Sequence, residues 1–234
     1  MRLVILIVVL STLMSTTSMS NKLPLTYLVR ELKIKAVKPP LLILLHGVGS
    51  NEKDLFSFAD QLPDQFLVIS VRAPITLDSN RFGWYQVDFS TGKPVFNKEQ
   101  EEKSRQLILD FIDQLNEHHS FDAAKVYLAG FSQGAIMSYS IALTHPEKVR
   151  GIAIMSGRLL EEIKPIIASP IKLQQLNIFI SHGTQDGMLT VEYARESLKF
   201  LESLNLNPTY KEYFAGHGIN TDMRSDLIAW LNKV

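Results

Sequence analysis

The sequence predicts an α/β fold in which a mostly parallel, twisted sheet carries helices on both faces. Short apolar runs alternate with longer helical patterns along the chain, as in βα units that place parallel strands side by side. Several of the runs are apolar at every position, which is typical of strands covered on both faces. A third observation is the pentapeptide GFSQG at 130–134, which lies between one such run and an apolar helical stretch.

The predicted strands are short runs rich in β-branched, aromatic and other apolar residues. In chain order they cover residues 26–31, 41–45, 67–71, 126–129, 152–155, 178–181 and 209–213. The predicted helices between them cover residues 52–61, 99–118, 134–144, 191–204 and 221–231. Within 99–118, Leu107, Phe111 and Leu115 recur at helical spacing with charged residues between them, so one face is predicted to be buried. Pro146 follows a helix end, where a residue without an N–H belongs.

Length and composition favour one globular domain. The 234 residues are 46% hydrophobic, which is enough for a single large core, and 21–234 is predicted to form one domain. Lysine plus arginine equals aspartate plus glutamate, so the charge gives no reason to expect a nucleic-acid partner. The absence of cysteine excludes disulfides, a thiol nucleophile and cysteine-based zinc sites.

The amino terminus has the pattern of a leader. Arg2 precedes an apolar run at 3–10, and a stretch of small residues follows. This pattern predicts a secretory signal peptide at 1–20, which is too short for a stable membrane span. The alternative is that Met14 or Met19 is the true start. The expected location is therefore outside the cell or in the periplasm with the leader, and cytoplasmic without it.

Ser132 is the predicted nucleophile. A G-x-S-x-G sequence between a strand and a helix is the pattern of a nucleophile elbow. The turn is so tight that the residues two positions away on either side, Gly130 and Gly134, must lack bulk for the strand and helix to approach. The serine hydroxyl is then exposed above the sheet, near the positive end of a helix.

A serine nucleophile needs a base, and the base needs an orienting acid. Of the six histidines, His217 is the predicted base because glycines flank it in a loop between a strand and the last helix. Asp186 is the predicted acid because it lies just past the strand at 178–181; a simple Asx-turn with Gly187 is compatible with that role. The order serine, aspartate, histidine is that of the α/β hydrolases and not of trypsin-like or subtilisin-like proteases.

The glycine-rich loop after the strand at 41–45 predicts an oxyanion hole. In this architecture one amide belongs to the residue after the nucleophile, here Gln133, and the second to an early strand-to-helix loop, where Val48 is the best candidate. A phosphate-binding loop is disfavoured, since no Gly-Lys-Ser/Thr follows. His46 is expected to form local hydrogen bonds that shape this loop.

These segments together resemble the phospholipase/carboxylesterase family of α/β hydrolases, which includes acyl-protein thioesterases and small bacterial carboxylesterases. The resemblance runs from Leu25 to Val234 and rests on LHGVG at 45–49, GFSQG at 130–134, HGTQD at 182–186 and GHGI at 216–219. It implies an α/β-hydrolase fold without a large lid and a serine esterase that uses neither metal nor cofactor.

Departures from the family pattern bear on the substrate. The thioesterase branch usually has Asp after the second glycine of the oxyanion loop, whereas this chain has Ser50, as in bacterial carboxylesterase relatives. Relatives often carry Val-Pro after the triad acid, whereas this chain has Leu189 and Thr190. A secretory leader is also unusual for the cytosolic thioesterases. These departures favour a carboxylesterase over a protein depalmitoylase.

The aromatic segment at 81–89 resembles the segment that lines the acyl pocket in this family. Trp84 and Tyr85 are its predicted substrate contacts, and a core-packed loop is the alternative for both. Phe131 and Met188 are two further predicted contacts in the same pocket.

The functional hypothesis is a serine hydrolase of short- to medium-chain acyl esters whose partner is a small-molecule ester. Acyl-protein thioesterase and lysophospholipase activities are alternatives within the family. A dienelactone hydrolase would normally have a cysteine nucleophile, and an oligopeptidase of this fold would normally need a large extra domain. The alternative of a different class is a catalytically silent binding module built on the same fold.

Overall fold

A seven-stranded sheet forms the centre of the molecule. A computed structural model of the chain describes residues 23–33, 37–88 and 95–234. The described strands are β1 (Tyr27–Arg30), β2 (Leu41–Leu45), β3 (Leu67–Val71), β4 (Ile75–Asp78), β5 (Arg81–Gly83), β6 (Val87–Asp88), β7 (Val95–Phe96), β8 (Val126–Phe131), β9 (Gly151–Met155), β10 (Asn177–Gly183) and β11 (Thr209–Tyr213).

The order of the central strands is β1-β3-β2-β8-β9-β10-β11. Only β1 is antiparallel to its neighbour, and every other pair is parallel. In the middle of the sheet, Leu41 lies opposite Leu67 on one side and Val126 on the other. The predicted mostly parallel sheet is therefore confirmed. Because β2 and β8 are neighbours, the loops that follow them meet at one edge of the sheet.

Helices cover both faces of this sheet. They are α1 (Lys53–Phe56), α2 (Lys98–Leu115), α3 (Gln133–Thr144), α4 (Pro170–Leu173), α5 (Val191–Ser203) and α6 (Thr221–Leu231), with 3₁₀ turns at Ala59–Gln61 and Glu161–Ile166. Apolar residues of α2, α3 and α5 pack on one face, and those of α1 and α6 pack on the other.

The two faces explain why the central strands are apolar throughout. In β2, Leu41, Ile43 and Leu45 point into the core beneath α2 and α3, whereas Leu42 and Leu44 point into the core beneath α1 and α6. Successive side chains of a strand face opposite sides, so a strand covered twice requires apolar residues at every position.

The predicted helix at 52–61 is wrong as one continuous element. It divides into α1 and the 3₁₀ turn Ala59–Gln61. The buried guanidinium of Arg30 on β1 donates to the carbonyl oxygens of Ala59 (3.1 Å), Leu62 (2.9 Å), Pro63 (3.0 Å) and Phe66 (2.7 Å). Of these four carbonyls only that of Ala59 lies within the predicted helix, and together they pair a buried charge that would otherwise be costly.

The segment between β3 and α2 contains two small sheets that the sequence did not predict. Strands β4 and β5 form an antiparallel hairpin, and β6 pairs with β7. The predicted aromatic segment at 81–89 begins in β5 and ends at Phe89, which lies outside the described residues, as does the predicted leader at 1–20. Among the helices of the described ranges, none has the length and hydropathy of a membrane span.

Candidate active site

Ser132 lies at the turn between β8 and α3. Its φ of 51° and ψ of −115° put a non-glycine residue in a conformation that costs free energy and persists only under strong packing. A Cβ at Gly130 would overlap the carbonyl of Gly134, and a Cβ at Gly134 would overlap the carbonyl oxygen of Leu45 on β2. Both glycines are therefore required for β8 and β2 to approach the start of α3.

Ser132, His217 and Asp186 form one hydrogen-bonded chain. His217 Nε2 lies 3.0 Å from Ser132 Oγ, and His217 Nδ1 lies 2.7 Å from Asp186 Oδ2. An ionised carboxylate only accepts hydrogen bonds, so Nδ1 carries the proton and Nε2 presents its lone pair to the serine hydroxyl. The structure thus brings together three residues from three separate loops, in the tautomer that a serine nucleophile requires.

The surroundings of Asp186 keep it ionised. Burial would raise the pKa of Asp186, but the hydrogen bond from His217 and those from the amides of Leu189 and Met188 lower it further than burial raises it. Both amides donate to Oδ1 at 2.9 Å, which leaves Oδ2 for His217. The bond from Met188, two residues on, is the predicted Asx-turn.

The loop that carries His217 packs against the loop that carries Asp186. The amide of Gln185 donates to the carbonyl of Ala215 at 2.9 Å, and the amide of Thr184 donates to Tyr213 at 2.8 Å. A Cβ at Gly183 would overlap the carbonyls of Ala215 and Gly216, so this glycine allows the two loops to touch. Parallel pairing of β10 and β11 thereby brings the aspartate and the histidine together.

The amides of Val48 and Gln133 lie at the same edge of the sheet. Val48 and Gln133 line the same cavity as Ser132, and neither amide N–H has an acceptor among the residues that the structure describes. Gly49, with φ of 77°, turns the loop and donates to the carbonyl of Phe82 at 2.7 Å. This bond holds the loop of Val48 against β5 while its amide remains available for a ligand.

His46 shapes this loop as predicted. It is fully buried, accepts a hydrogen bond from the amide of Ala73 on Nε2 (3.0 Å), and donates from Nδ1 to the carbonyl of Gly47 (2.7 Å). Burial lowers the pKa of His46, which favours the neutral ring that these two bonds require. Both ring nitrogens are used in the scaffold, so the expected local role of His46 is confirmed.

The side chain of Gln133 has a structural task that sequence reasoning did not find. Its Oε1 accepts from the amide of Trp84 at 2.8 Å, and its Nε2 donates to the carbonyl of Tyr85 at 2.7 Å. Trp84 Nε1 in turn donates to the carbonyl of His46 at 2.9 Å. The residue after Ser132 therefore ties the aromatic segment to the turn between β8 and α3, and both polar atoms of the buried glutamine side chain have a partner.

A cavity of about 350 Å³ opens beside Ser132. Most of the side chains in its wall are apolar, and the lining residues are Val48, Tyr85, Val87, Phe96, Ser132, Gln133, Ile136, Arg158, Met188, Leu189, Tyr193 and His217. A cavity of this volume lies near the lower end of the range for small-molecule sites. Tyr85 and Met188 therefore lie where the sequence predicted them.

Trp84 and Phe131 lie elsewhere. Trp84 has no exposed surface and is absent from the wall of this cavity, so its placement does not support the predicted substrate contact. Trp84 donates from Nε1 to the carbonyl of His46 in the scaffold, whereas Tyr85 lines the cavity. Phe131 contacts the other side of the His217 ring, with ring centroids 5.0 Å apart, and lines a second depression with Phe58 and Ile219.

Two polar residues at the site were missed. His182 is fully buried, and its Nε2 lies 2.7 Å from the carbonyl oxygen of Leu189 and 3.3 Å from Asp186 Oδ2. Arg158 enters the cavity wall from the turn after β9. His182 lies near the end of β10, and Arg158 follows the end of β9. Because ligands bind at the carboxyl ends of parallel strands, these positions could have identified both residues from the sequence. Within the described ranges, no group of three His, Asp or Glu side chains is arranged to hold a metal ion.

Comparison with known proteins identifies the family. The model of the phospholipase/carboxylesterase family matches residues 32–234. The chain belongs to the phospholipase/carboxylesterase family. The resemblance of the four sequence segments to this family is thus confirmed, together with the α/β-hydrolase fold, and the protein is a hydrolase of the carboxylesterase and acyl-protein thioesterase type.

Proteins similar to this chain carry both kinds of name. Acyl-protein thioesterase 1 of Kluyveromyces lactis is 28% identical over 210 residues, which cover 82% of this chain and 91% of that protein. Acyl-protein thioesterase 1 of Emericella nidulans is 25% identical over 213 residues, with 82% and 89% covered. The crystal structure of the Bacillus cereus carboxylesterase superposes with a TM-score of 0.77 at 23% identity, covering 89% of this chain and 94% of that one.

Proposed function

We propose that the protein is a serine carboxylesterase that hydrolyses short- to medium-chain acyl esters through an acyl-serine intermediate. The observation that carries this proposal is the hydrogen-bonded chain from Ser132 through His217 to Asp186, which opens into a largely apolar cavity. Family membership supports hydrolysis in general, and the geometry of these three side chains supports the serine mechanism in particular.

The proposed reaction begins when Ser132 Oγ attacks the ester carbonyl while its proton passes to His217 Nε2. Asp186 stabilises the resulting imidazolium through the bond to Nδ1. The tetrahedral intermediate then loses the alcohol, which takes the proton from Nε2 as its bond to carbon breaks. Water, deprotonated by the same nitrogen, attacks the acyl-serine and releases the acid and the free Ser132 hydroxyl.

The oxyanion of each tetrahedral intermediate is proposed to accept hydrogen bonds from the amides of Val48 and Gln133. Neither amide has an acceptor among the described residues. For Gln133, which is buried, this supports the assignment, because a buried N–H normally has a partner; the exposed amide of Val48 is free to bind a ligand. Gln133 also begins α3, and the partial positive charge at the start of a helix favours an anion there. Loss of one such donor typically lowers the rate by roughly a hundredfold to a thousandfold.

Hydrolysis of thioesters is the second candidate, and two relatives named acyl-protein thioesterase 1 support it. The chemistry of attack is the same for both acyl donors, so the triad does not discriminate between them. Ser50 in the oxyanion loop and the limited volume of the cavity favour small oxygen esters. Rates on an acyl ester and its matched thioester, compared as kcat/KM, separate the two.

Initial rates on a series of p-nitrophenyl acyl esters test the proposal. The chain from Met19 is compared with its Ser132→Ala variant and with Ser138→Ala as a matched control. Ser138 lies in the same helix, and its hydroxyl donates only to the carbonyl of Gly134 at 2.9 Å. We expect a maximum at one acyl length, loss of activity in Ser132→Ala, and retention in Ser138→Ala. A folded wild-type protein without activity on any ester would instead favour the silent binding module.

We further propose, from the leader pattern at 1–20 alone, that the chain is exported and processed near Ser18 or Ser20. Amino-terminal sequencing of the protein from its native host tests this. A chain that begins at Met1 or Met14 would overturn export and indicate a cytoplasmic enzyme. Because cleavage after Ser18 and initiation at Met19 leave the same first residue, a chain that begins at Met19 supports export only if it is recovered outside the cytoplasm when the host cells are fractionated.

A further inference from the structure

Arg158 lies just past the end of β9, next to the strand that carries the nucleophile. The chain turns sharply at Ser156, which has φ of 50°, and Gly157 then packs against Ala135 of α3 so closely that a Cβ would collide with it. The amide of Leu159 donates to Ser197 Oγ at 3.1 Å. These contacts fix the backbone on both sides of Arg158 and direct its side chain into the cavity that contains Ser132.

The guanidinium of Arg158 has neither a carboxylate within ion-pair distance nor a hydrogen-bond acceptor among the described residues. Its one described contact is the face of the Tyr193 ring, 5.4 Å from the ring centroid. By contrast, two more deeply buried arginines have hydrogen-bond partners. Arg30 donates to four carbonyls, and Arg105 donates to Glu102 and Thr144. A half-buried guanidinium with free donors is a preformed partner for a carboxylate.

Among the described residues of the cavity wall, Arg158 is also the only side chain with a permanent charge. Apart from the triad and the polar groups of Gln133 and the two tyrosines, the remaining lining residues are apolar. Glu161 and Glu196 lie on the other side of Arg158, where Glu161 pairs with Lys164 at 2.7 Å. The positive charge of Arg158 therefore faces the cavity, and no carboxylate among the described wall residues opposes it. The partly buried surroundings strengthen its attraction for an anion.

We propose that Arg158 makes the enzyme select esters whose acyl chain itself carries a carboxylate, the half-esters of dicarboxylic acids. This inference rests on the proposed function. We place the acyl chain, rather than the alcohol, in the cavity that contains Arg158. The alcohol must take its proton from His217, and a second depression beyond the His217 ring, lined by Phe58, Phe131 and Ile219, is available to it. The apolar wall then holds the methylene chain, and the guanidinium binds the distal carboxylate.

Chain-matched substrates test this proposal. Values of kcat/KM are measured for the mono-p-nitrophenyl esters of adipate and suberate and for p-nitrophenyl hexanoate and octanoate. The proteins are the wild type, Arg158→Gln and Arg150→Gln. Arg150 precedes β9, is exposed, and lies at the opposite edge of the sheet, so it controls for loss of one positive charge.

We expect the ratio of kcat/KM for the anionic ester to that for the neutral ester to fall roughly tenfold to a hundredfold in Arg158→Gln, the effect of one charge-assisted hydrogen-bonded contact. The ratio should be unchanged in Arg150→Gln. An unchanged ratio in a folded Arg158→Gln that still hydrolyses hexanoate would overturn the inference and leave the proposed esterase intact. A preference for 3-carboxy-4-nitrophenyl hexanoate over the anionic acyl esters would overturn the acyl-side assignment.

A binding measurement makes the test independent of turnover. Calorimetric titration of monomethyl suberate into Ser132→Ala and into Ser132→Ala with Arg158→Gln should give a dissociation constant that is weaker in the second protein by a similar factor. Equal constants in the two proteins would contradict the role of Arg158 even if no ester were hydrolysed. If monomethyl suberate binds Ser132→Ala more tightly than the double variant but the wild type hydrolyses no ester, the anion site at Arg158 is supported and the proposed esterase activity is refuted.

Discussion

Replacement of Gln133 by alanine tests whether the elbow and the aromatic segment are held together by one side chain. The glutamine is 3% exposed and makes two hydrogen bonds to backbone, at 2.8 Å from Trp84 N and 2.7 Å to Tyr85 O. Alanine keeps the backbone amide of residue 133, and hence the proposed oxyanion donor, but removes both bonds. The variant therefore separates the structural task of this side chain from the chemistry of its amide.

The expected loss of stability follows from the two backbone groups left behind. Trp84 and Tyr85 are buried, so their amide and carbonyl lose a partner out of contact with bulk water. Each unsatisfied group costs about 1 to 3 kcal/mol, which gives a total loss of about 2 to 6 kcal/mol in the free energy of unfolding. A water molecule admitted to the vacated space sets the lower bound.

Gln133→Glu sharpens the prediction through pH. One carboxylate oxygen still accepts from Trp84, but the other faces the carbonyl oxygen of Tyr85, where a donor is needed. Burial and this contact raise the pKa of the introduced carboxyl above its usual value of about 4.3. Below the usual pKa of about 4.3 the carboxyl is protonated in both the folded and the unfolded protein, and in the folded protein it donates a hydrogen bond to Tyr85 as the amide did. The stability deficit relative to wild type therefore grows as pH rises, and it is complete above the raised pKa.

Urea denaturation measures both effects. Gln175→Ala is the matched control, because Gln175 is exposed and makes a single hydrogen bond to the carbonyl of Pro146 at 3.0 Å. We expect its loss to stay below about 1 kcal/mol. A loss in Gln133→Ala as small as that of the control, below about 1 kcal/mol in the free energy of unfolding, would refute the reasoning. So would a stability deficit in Gln133→Glu that is the same at acidic and at neutral pH.

Three further predictions concern the triad and the elbow. Asp186→Asn should lower kcat by about 10⁴-fold in a folded protein, because the amide favours the wrong tautomer of His217. A decrease in kcat of less than about tenfold in steady-state kinetics would contradict the assignment of Asp186 as the orienting acid. The pKa of Asp186 is lowered in the folded state, so its stabilising contribution is present above about pH 4 and declines as pH falls. Urea denaturation across acidic pH should accordingly show a shallower acid-induced loss for Asp186→Asn than for wild type, and parallel curves would argue against the ionised state. Gly134→Ala should lower the free energy of unfolding by about 3 kcal/mol or more, because the new Cβ meets the backbone carbonyl of Leu45. A melting temperature within about 2 °C of the wild-type value would exclude that collision.

The fold could be predicted largely from local pattern. Strands β2 and β3 have the predicted bounds, and the predicted strand at 126–129 and helix at 134–144 lie within β8 and α3. Doubly covered strands are visible in the sequence as runs that are apolar at every position, and amphipathic helices as apolar residues that recur at the helical period. The division of the predicted helix at 52–61 into α1 and a 3₁₀ turn left no such pattern. The carbonyls at Ala59 and Leu62 are bound by the guanidinium of Arg30, which is distant in sequence.

For the site, the sequence determined which residues could serve as nucleophile, base and acid. Gly130 is required by the local turn, whereas Gly134 is required by the approach of α3 to β2. Asp186 and His217 each follow a strand whose end must lie at the ligand-binding edge of a parallel sheet. Only the tertiary structure decided what surrounds them. Trp84 and Tyr85 are adjacent in sequence, yet one is buried in the scaffold and the other lines the cavity. Arg158 enters that cavity because β9 lies next to β8, and strand order depends on packing across the whole sheet, which local sequence does not encode.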